Sequence, residues 1–353
     1  MHKLFTSSFD ASIYLQQPDQ NAGRDEILEV GKLYYGSSKD IARTLIKFDV
    51  ANMGIPSGSI VYLNLKSSQA EEIPLEYTIH TNAVSQSWSM GTGTKFDNIT
   101  SDGVSWKYRN GVDTWQDNVT AGTAVFTPGT TGSANAEGGT WYTASQASQS
   151  YNYEDADIRI NVTGIVNRWL SGSIPNNGFI IHHGLENEEN TLDYGVLKFF
   201  SKETGTIYEP KLEVVWNDTS FATGSLLPVT GYAEDDYKVV ITNLKTEYSK
   251  DSRIKIRIKG RDVFPLKSFS TTFEYDQSKY LPTTSYYQLE DYITDGVIYP
   301  FGEYTKISCD STSNYFIIDL NTLPLYRTYR LKLKIIDGEI STIIDDKLIF
   351  QIV

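Results

Sequence analysis

The sequence is poor in the residues that build disulfide frameworks, metal sites and general bases. Its 353 residues contain a single cysteine, Cys309, so no internal disulfide framework is possible. Histidine, the usual base at neutral pH, occurs only four times. No apolar run approaches the roughly 20 residues that a helix needs to cross a bilayer. These scarcities exclude a disulfide scaffold and a helical membrane protein, and they leave little material for hydrolytic or transfer chemistry.

Basic residues are also outnumbered, since 31 Lys+Arg against 44 Asp+Glu give a formal net charge of −13. A surface of this sign repels a phosphate backbone, so we exclude nucleic acid as the partner. The opening residues, MHKLFTSSFDASIYL, lack the apolar segment and cleavage site of a secretory signal. The 24 tyrosines nevertheless give the composition of an extracellular β-sheet protein. Assembly inside a cell into a particle that lysis releases is a hypothesis that accounts for both observations.

Strand patterns dominate what is present. Segments such as IARTLIKFDV (41–50), SIVYLNLKSS (59–68) and PKLEVVW (210–216) alternate apolar and polar residues or are continuously β-rich, and turn signals separate them. One segment differs, because the apolar residues of INVTGIVNRWLSGS recur at helical spacing around Trp169. We therefore predict an all-β protein with one short helix.

The composition changes near residues 217–232, which suggests a domain boundary. All six tryptophans precede it. Residues up to 225 carry 15 Lys+Arg against 26 Asp+Glu, a net charge of −11, and the remainder carries 16 against 18, or −2. We predict a jelly-roll-like β-sandwich over residues 1–217, a linker over 218–232 and an immunoglobulin-like β-sandwich over 233–353.

Residues from about 86 to 155 are the least regular part of the N-terminal half. Four of the six tryptophans lie here among Gly, Ser, Thr and Asn, which predicts a long insertion held down by aromatic anchors. In and just after SDGVSWKYRNG, the side chains of Trp106, Tyr108 and Trp115 have two interpretations. Exposed rings would contact carbohydrate or a partner protein, whereas buried rings would pin the insertion to the sandwich. We favour the buried arrangement and keep these three as candidate contact residues.

The histidines show no catalytic or metal-binding pattern. His182 and His183 are adjacent, so on a strand they point to opposite faces and cannot share a metal ion. His80 lies in an alternating strand, and His2 is at the terminus. For all four we expect a surface or core-edge position rather than a role as ligand or base.

Two acidic clusters and the cysteine are the remaining candidates for metal binding or for a reactive side chain. YEDAD (153–157) and ENEEN (186–190) are typical of solvated loops, with calcium binding as the alternative, although neither has the spaced D-x-D-x-D-G pattern. Cys309 has no flanking residues that would activate a thiol, so a buried inert side chain is expected. We therefore predict a protein that is not an enzyme and has neither a metal nor a cofactor.

Several segments of residues 1–217 resemble the DNRLRE family, a carbohydrate-binding-module-like β-sandwich domain of surface and phage proteins. The most specific are RINVTGIVNRWLSGSIPNNGFIIHH and LKFFSKETGTIYEPKLEVVW, and ASIYLQQPDQNAG and IARTLIKFDV precede them. The middle segment SDGVSWKYRNG…GGTWYT is similar to the version in phage virion proteins. That family has no settled catalytic set, so the resemblance implies no active residues.

Residues 237–353 are similar to the C-terminal β-domain of phage structural proteins, through EYSKDSRIKIRIKGRDVFPLKSFS, KYLPTTSYYQLEDY and FGEYTKISCDSTSNYFIIDL. Together the two resemblances imply a non-enzymatic structural component of a tailed-phage virion, in the neck, collar, tail or baseplate. Its partners would be copies of itself and other virion proteins in a symmetric assembly. It would assemble in the host cytoplasm and be released by lysis.

Two other functions stay open from the sequence. One is a carbohydrate-binding module that attaches to host or environmental polysaccharide. The other is a polysaccharide-degrading enzyme, for which the sequence offers no candidate site.

Overall fold

The structure, a computed structural model, describes residues 1–36, 38–71, 76–115, 125–126, 137–152, 157–265 and 278–353. It is 48% strand and 8% helix, so the predicted all-β sandwich class is confirmed. The chain divides into two compact units. The N-terminal unit is Leu4–Val214, and the C-terminal unit is Val215–Val353 together with Met1–Lys3.

Two sheets account for the described strands as far as Val215. These strands are β1 (His2–Thr6), β2 (Phe9–Tyr14), β3 (Ile27–Tyr35), β4 (Ser38–Lys47), β5 (Ile60–Leu65), β6 (Ser67–Glu71), β7 (Glu76–Val84), β8 (Val125–Phe126), β9 (Trp141–Asn152), β10 (Ile158–Asn161), β11 (Phe179–His183), β12 (Gly195–Phe200) and β13 (Lys211–Val215). One sheet has the order β1-β13-β5-β10. The larger sheet has the order β6-β12-β3-β4-β11-β7-β9-β8, with β2 also paired to β4.

The strand period of two explains the burial in the smaller sheet. In β5, Val61, Leu63 and Leu65 are buried, and the residues between them are half-buried. Leu63 lies opposite Ile160 of β10 in antiparallel register, and both side chains are in the core. Successive side chains point to opposite faces of a strand, so this alternation gives one apolar face to the sandwich interior.

The C-terminal unit also has two sheets over its described residues. Its strands are β14 (Leu227–Pro228), β15 (Tyr237–Ile241), β16 (Glu247–Tyr248), β17 (Arg253–Asp262), β18 (Lys279–Tyr280), β19 (Ser285–Asp291), β20 (Val297–Tyr299), β21 (Ser308–Cys309), β22 (Asn314–Asp319), β23 (Thr328–Asp337) and β24 (Ile340–Ile352). The first sheet has the order β14-β18-β17-β22-β21, with β15 on β17, and the second has the order β16-β24-β23-β19-β20.

The predicted helix is present as α1 (Thr163–Leu170), but it is accompanied by a second helix in the part of the chain that the structure describes. Helix α1 buries Trp169 and ends before Gly172, whose φ of +72° favours glycine at this position. The second helix, α2 (Leu185–Glu189), occupies the ENEEN cluster. The expectation of a single helix, with a solvated loop at residues 186–190, is therefore wrong. Four short 3₁₀ turns are also described: Val50–Asn52, Lys202–Thr204, Glu303–Thr305 and Leu320–Thr322.

Residues 218–232, predicted as a linker, are hydrogen-bonded into the C-terminal unit. The Ala222 N–H donates to the Cys309 carbonyl at 2.9 Å. Strand β14 pairs in parallel with β18. These backbone pairings give the segment partners that its turn-rich composition does not reveal. The compact C-terminal unit thus begins at Val215.

Candidate functional site

The aromatic residues of the predicted insertion lie mainly in the core. Trp106 and Trp115 are 4% and 0% exposed and belong to one cluster with Trp88, Val104 and Trp141. The Trp115 Nε1–H donates to the Ser105 carbonyl at 3.1 Å. A side chain buried in this way offers no ring face to a sugar or a partner protein. The candidate contact role of Trp106 and Trp115 is therefore corrected to core packing, and only Tyr108, which is half-buried, keeps an accessible ring.

A buried asparagine ties the described part of the insertion to the first strands. Asn21 Nδ2 donates to the carbonyls of Met90 and Val104, each at 2.7 Å, and its Oδ1 accepts from the Gly93 N–H at 2.8 Å. Backbone must approach this side chain closely, since a Cβ on Gly91 would lie 2.4 Å from Asn21 Oδ1. Gly91 has a φ of +80°, so glycine is required there on both counts.

Helix α2 is anchored to the large sheet by a buried ion pair. The Glu188 carboxylate accepts from Arg43 Nε at 3.1 Å and from an Arg43 terminal nitrogen at 2.5 Å. Both side chains are 3% exposed. The Arg43 guanidinium also lies over the rings of Trp106 and Trp141, 4.7 and 5.2 Å from their centroids. Glu188, predicted to be solvated, is thus a core residue that connects α2 to β4 and to the aromatic insertion.

A polar groove lies between this helix and the strands β7 and β9. It consists of two adjoining cavities of about 630 and 290 Å³ that share His80 and Glu186. The larger cavity is lined by Glu76, Tyr77, Thr78, His80, Ser150, Tyr151, Glu186, Asn187 and Tyr194, and the smaller adds Asn82, Trp141, Thr143, Gln146, His182, Gly184 and Leu185. We call this feature the α2 groove. Hydroxyl, amide, imidazole and carboxylate groups therefore meet on one surface, whose half-buried aromatic residue is Tyr194.

Strand pairing explains why these side chains converge. In the antiparallel pair β7–β9, Thr78 lies opposite Ser150 and His80 lies opposite Ser148. The Thr78 and Ser150 hydroxyls are 3.0 Å apart. His80 also lies opposite His182 of β11, so three neighbouring strands contribute to the same face. The register, rather than any contiguous motif, assembles the floor of the groove.

His80 is neutral and has one ring nitrogen available. Gln146 Nε2 contacts His80 Nδ1, and with the amide as donor the ring proton is on Nε2. Burial lowers the pKa of His80, and the nearby Glu186 and Glu188 only partly oppose this effect. Nε2 has no hydrogen-bond partner within the described ranges, so it is a free donor. The expected core-edge position of His80 agrees with its partial exposure.

The other two strand histidines are fully internal, not at the surface or core edge as expected. Burial lowers the pKa of His182 to about 3, and its Nδ1 lies 2.5 Å from the His183 carbonyl. Burial lowers the pKa of His183 to about 4. Among the described residues, neither His183 ring nitrogen has a hydrogen-bond partner, and the ring lies near those of Tyr77 and Tyr194, at centroid distances of 5.7 and 5.6 Å. Both histidines are thus neutral packing residues at neutral pH.

The described lining of the α2 groove carries charge of one sign. Glu76 and Glu186 are exposed carboxylates, and no lysine or arginine is among the described lining residues. Glu186 has no hydrogen-bond or ion-pair partner in the part of the chain that the structure describes. The groove therefore presents acceptors with negative charge beside neutral donors.

The remaining candidates for chemistry give no second site. Among the described residues, no group of three or more His, Cys, Asp or Glu side chains could hold a metal ion. Of the YEDAD cluster, residues 153–156 lie outside the described ranges. Cys309 is buried as predicted, and burial, with a contribution from Asp310, raises the pKa of its thiol to about 11. Within the same ranges, no helix has the length and apolar character needed to span a membrane.

The α2 groove has no contiguous motif in the sequence. The available signal was the polar alternation in EYTIHTNAV and WYTASQASQS, which places Thr78 and His80, and likewise Gln146 and Ser148, on single strand faces. Nothing local indicated that α2 would form the facing wall. Compared with protein-family models and with curated proteins, the chain matches none.

Proposed function

We propose that this chain is a non-enzymatic structural component of a tailed-phage virion that packs against copies of itself and other virion proteins. The observation that carries the proposal is an apolar end of the C-terminal unit. Ile293, in the loop after β19, is 69% exposed, and Tyr326, in the loop before β23, is 76% exposed. Tyr292 and Leu325, their chain neighbours, are exposed as well.

A backbone hydrogen bond joins the first of these loops to the start of β23. The Tyr292 N–H donates to the carbonyl of Thr328, the first residue of β23, at 2.9 Å. Clustered apolar side chains on a protein surface are typical of interaction sites, because their hydration is unfavourable. Strands β19 and β23 are neighbours in one sheet, so the two loops lie at the same edge of it. An exposed apolar patch of this kind suits a contact that repeats under particle symmetry. The resemblance of both halves to phage proteins is the second line of support.

The test is incorporation into particles. Particles from a lysate containing the chain are purified and examined by mass spectrometry and cryo-electron microscopy. We expect the chain at a symmetric position, and we expect the double variant Ile293→Asp/Tyr326→Asp to fold but to be lost from particles. Phe96→Asp, at an equally exposed apolar residue of the N-terminal unit, is the matched control and should be retained. Absence of the chain from particles, or normal incorporation of the double variant, would contradict the proposal.

Carbohydrate attachment is a second candidate function, and the α2 groove is the observation that favours it. Its larger cavity of about 630 Å³ falls within the range of small-molecule sites. Its hydroxyl and amide groups can hydrogen-bond sugar hydroxyls, and the half-buried Tyr194 is the aromatic residue of the lining that can pack on a sugar face. Retention on polysaccharide affinity gels that His80→Ala abolishes would support this function. Release of new reducing ends would instead indicate a degrading enzyme.

A further inference from the structure

Building on the carbohydrate-binding candidate, we infer that the α2 groove selects oligosaccharides without acidic groups and that His80 and Glu186 grip adjacent hydroxyls of one sugar. Both residues line both cavities, so they stand where the cavities join. A chain of sugars lying along the groove would therefore pass this pair.

His80 and Glu186 pair a donor with an acceptor. With the Gln146 amide donating to the opposite ring nitrogen, His80 Nε2–H is a neutral donor held in orientation. The Glu186 carboxylate accepts and has no partner among the described residues. A sugar hydroxyl both donates and accepts, so two neighbouring hydroxyls satisfy both protein groups at once. A carboxylate, sulfate or phosphate on the ligand would satisfy only His80 and would face Glu186 with like charge.

The charge of the lining also disfavours acidic ligands. Glu76 and Glu186 are its charged residues, and no lysine or arginine among the described lining residues balances them. Like charges a few ångström apart repel one another. Acidic glycans are therefore disfavoured, while neutral and amino sugars are accepted.

Access to His80 depends on the residue at position 184. A Cβ built on Gly184 would lie 3.0 Å from His80 Nε2, so any larger residue there would cover the donor. Gly184 has φ −56° and ψ 144°, which any residue can adopt. The backbone conformation at position 184 is therefore open to any residue. Glycine is needed there only to leave His80 Nε2 uncovered.

Helix α2, which forms one wall of the groove, is fixed in position. Glu188, two residues after Glu186, is held by Arg43 in the core, so α2 cannot shift without breaking a buried ion pair. Glu186 and Glu189, by contrast, are both exposed on this helix, but only Glu186 lines the groove. These two residues form a matched pair for an experiment.

The experiment titrates the full chain with three trisaccharides of equal length by isothermal calorimetry at pH 7. The probes are the trimers of N-acetylglucosamine, glucosamine and galacturonic acid. We expect the first two to bind at least about tenfold more tightly than the third, a difference of roughly 1.4 kcal/mol. Glu186→Lys should reverse the preference, Gly184→Ala should weaken all binding, and Glu189→Lys should change nothing.

The outcomes separate this inference from the function on which it rests. Equal or tighter binding of the galacturonic acid trimer would overturn the charge selection and leave carbohydrate binding in place. An effect of Glu189→Lys equal to that of Glu186→Lys would overturn the assignment to the groove. No binding of any of the three trimers would overturn the inference, and no retention on a wider set of polysaccharide gels would then remove the carbohydrate-binding function too.

Discussion

Replacing Glu188 by Gln is expected to leave Arg43 as an uncompensated charge in the core of the N-terminal unit. Arginine side chains stay charged in proteins, so Arg43 cannot become neutral when the Glu188 carboxylate is removed. The Gly138 carbonyl also accepts from Arg43 at 2.5 Å, but it carries no full charge. The rings of Trp106 and Trp141 attract the guanidinium through cation–π contacts, but they carry no negative charge that would neutralise it. The substitution keeps the side-chain shape and one acceptor oxygen, so it isolates the loss of charge.

The magnitude follows from the burial and the contacts. Removing one partner of a buried ion pair costs about 3–5 kcal/mol, because the other charge stays buried. Gln retains one hydrogen bond to Arg43, so we expect the lower end, about 3 kcal/mol. The double variant Arg43→Met/Glu188→Leu removes both charges and should cost several kcal/mol less than the sum of the single changes.

Tryptophan fluorescence during urea unfolding is the assay. Every tryptophan except Trp216 lies in Leu4–Val214, so the signal reports mainly on the N-terminal unit. Glu189→Gln, an exposed change on the same helix, is the control and should alter the free energy of unfolding by less than about 0.5 kcal/mol. A cost below about 1 kcal/mol for Glu188→Gln, or additive costs in the double variant, would refute the role assigned to this pair.

Three further changes test other parts of the N-terminal unit. The pKa of His183 is about 4 in the folded chain and about 6.5 in the unfolded chain. Between these two pH values the unfolded chain binds a proton that the folded chain does not bind. The free energy of unfolding is therefore unaffected by His183 above pH 6.5, and it falls by up to about 3 kcal/mol as the pH approaches 4. His183→Phe should therefore flatten the pH dependence of urea unfolding between pH 7 and 4.5, and an unchanged slope would count against it. Trp115→Ala should cost about 3–5 kcal/mol through its cavity, and a loss below 1 kcal/mol in thermal unfolding would show that the ring is not in the core. Asn21→Ala should cost about 2–4 kcal/mol by leaving its carbonyl and N–H partners unsatisfied, and rapid proteolysis within residues 86–115 should accompany the loss; a protease-resistant variant would contradict its anchoring role.

The predicted elements depend on short-range patterns, and they agree with the structure where the pattern is strong. Strand β23 alternates buried Leu331, Leu333 and Ile335 with half-buried polar residues, and the sequence shows this directly. The helix around Trp169 was predicted for the same reason. Helix α2 was missed because it has five residues, too few for a helical period to show.

The site residues were harder to predict because their surroundings come from distant parts of the chain. Trp106 and Tyr108 are two positions apart, yet one is buried against Arg43 and the other is half-exposed. His182 and His183 were expected near the surface, but β11 lies between β4 and β7 inside the large sheet, and both rings are buried. Burial of a polar residue depends on which strands flank it, and strand order is not a local property.

The sequence by itself determined the all-β class, the main strands and helix α1, because side-chain period and turn residues act over a few positions. Tertiary structure alone decided what the polar residues do. Arg43 and Glu188 are 145 residues apart, and His80 and Gln146 are 66 apart, yet each pair is in contact. Contacts of this kind follow from strand order and register, which the packing of the whole unit selects, so neither the buried ion pair nor the α2 groove has a signature in any single segment.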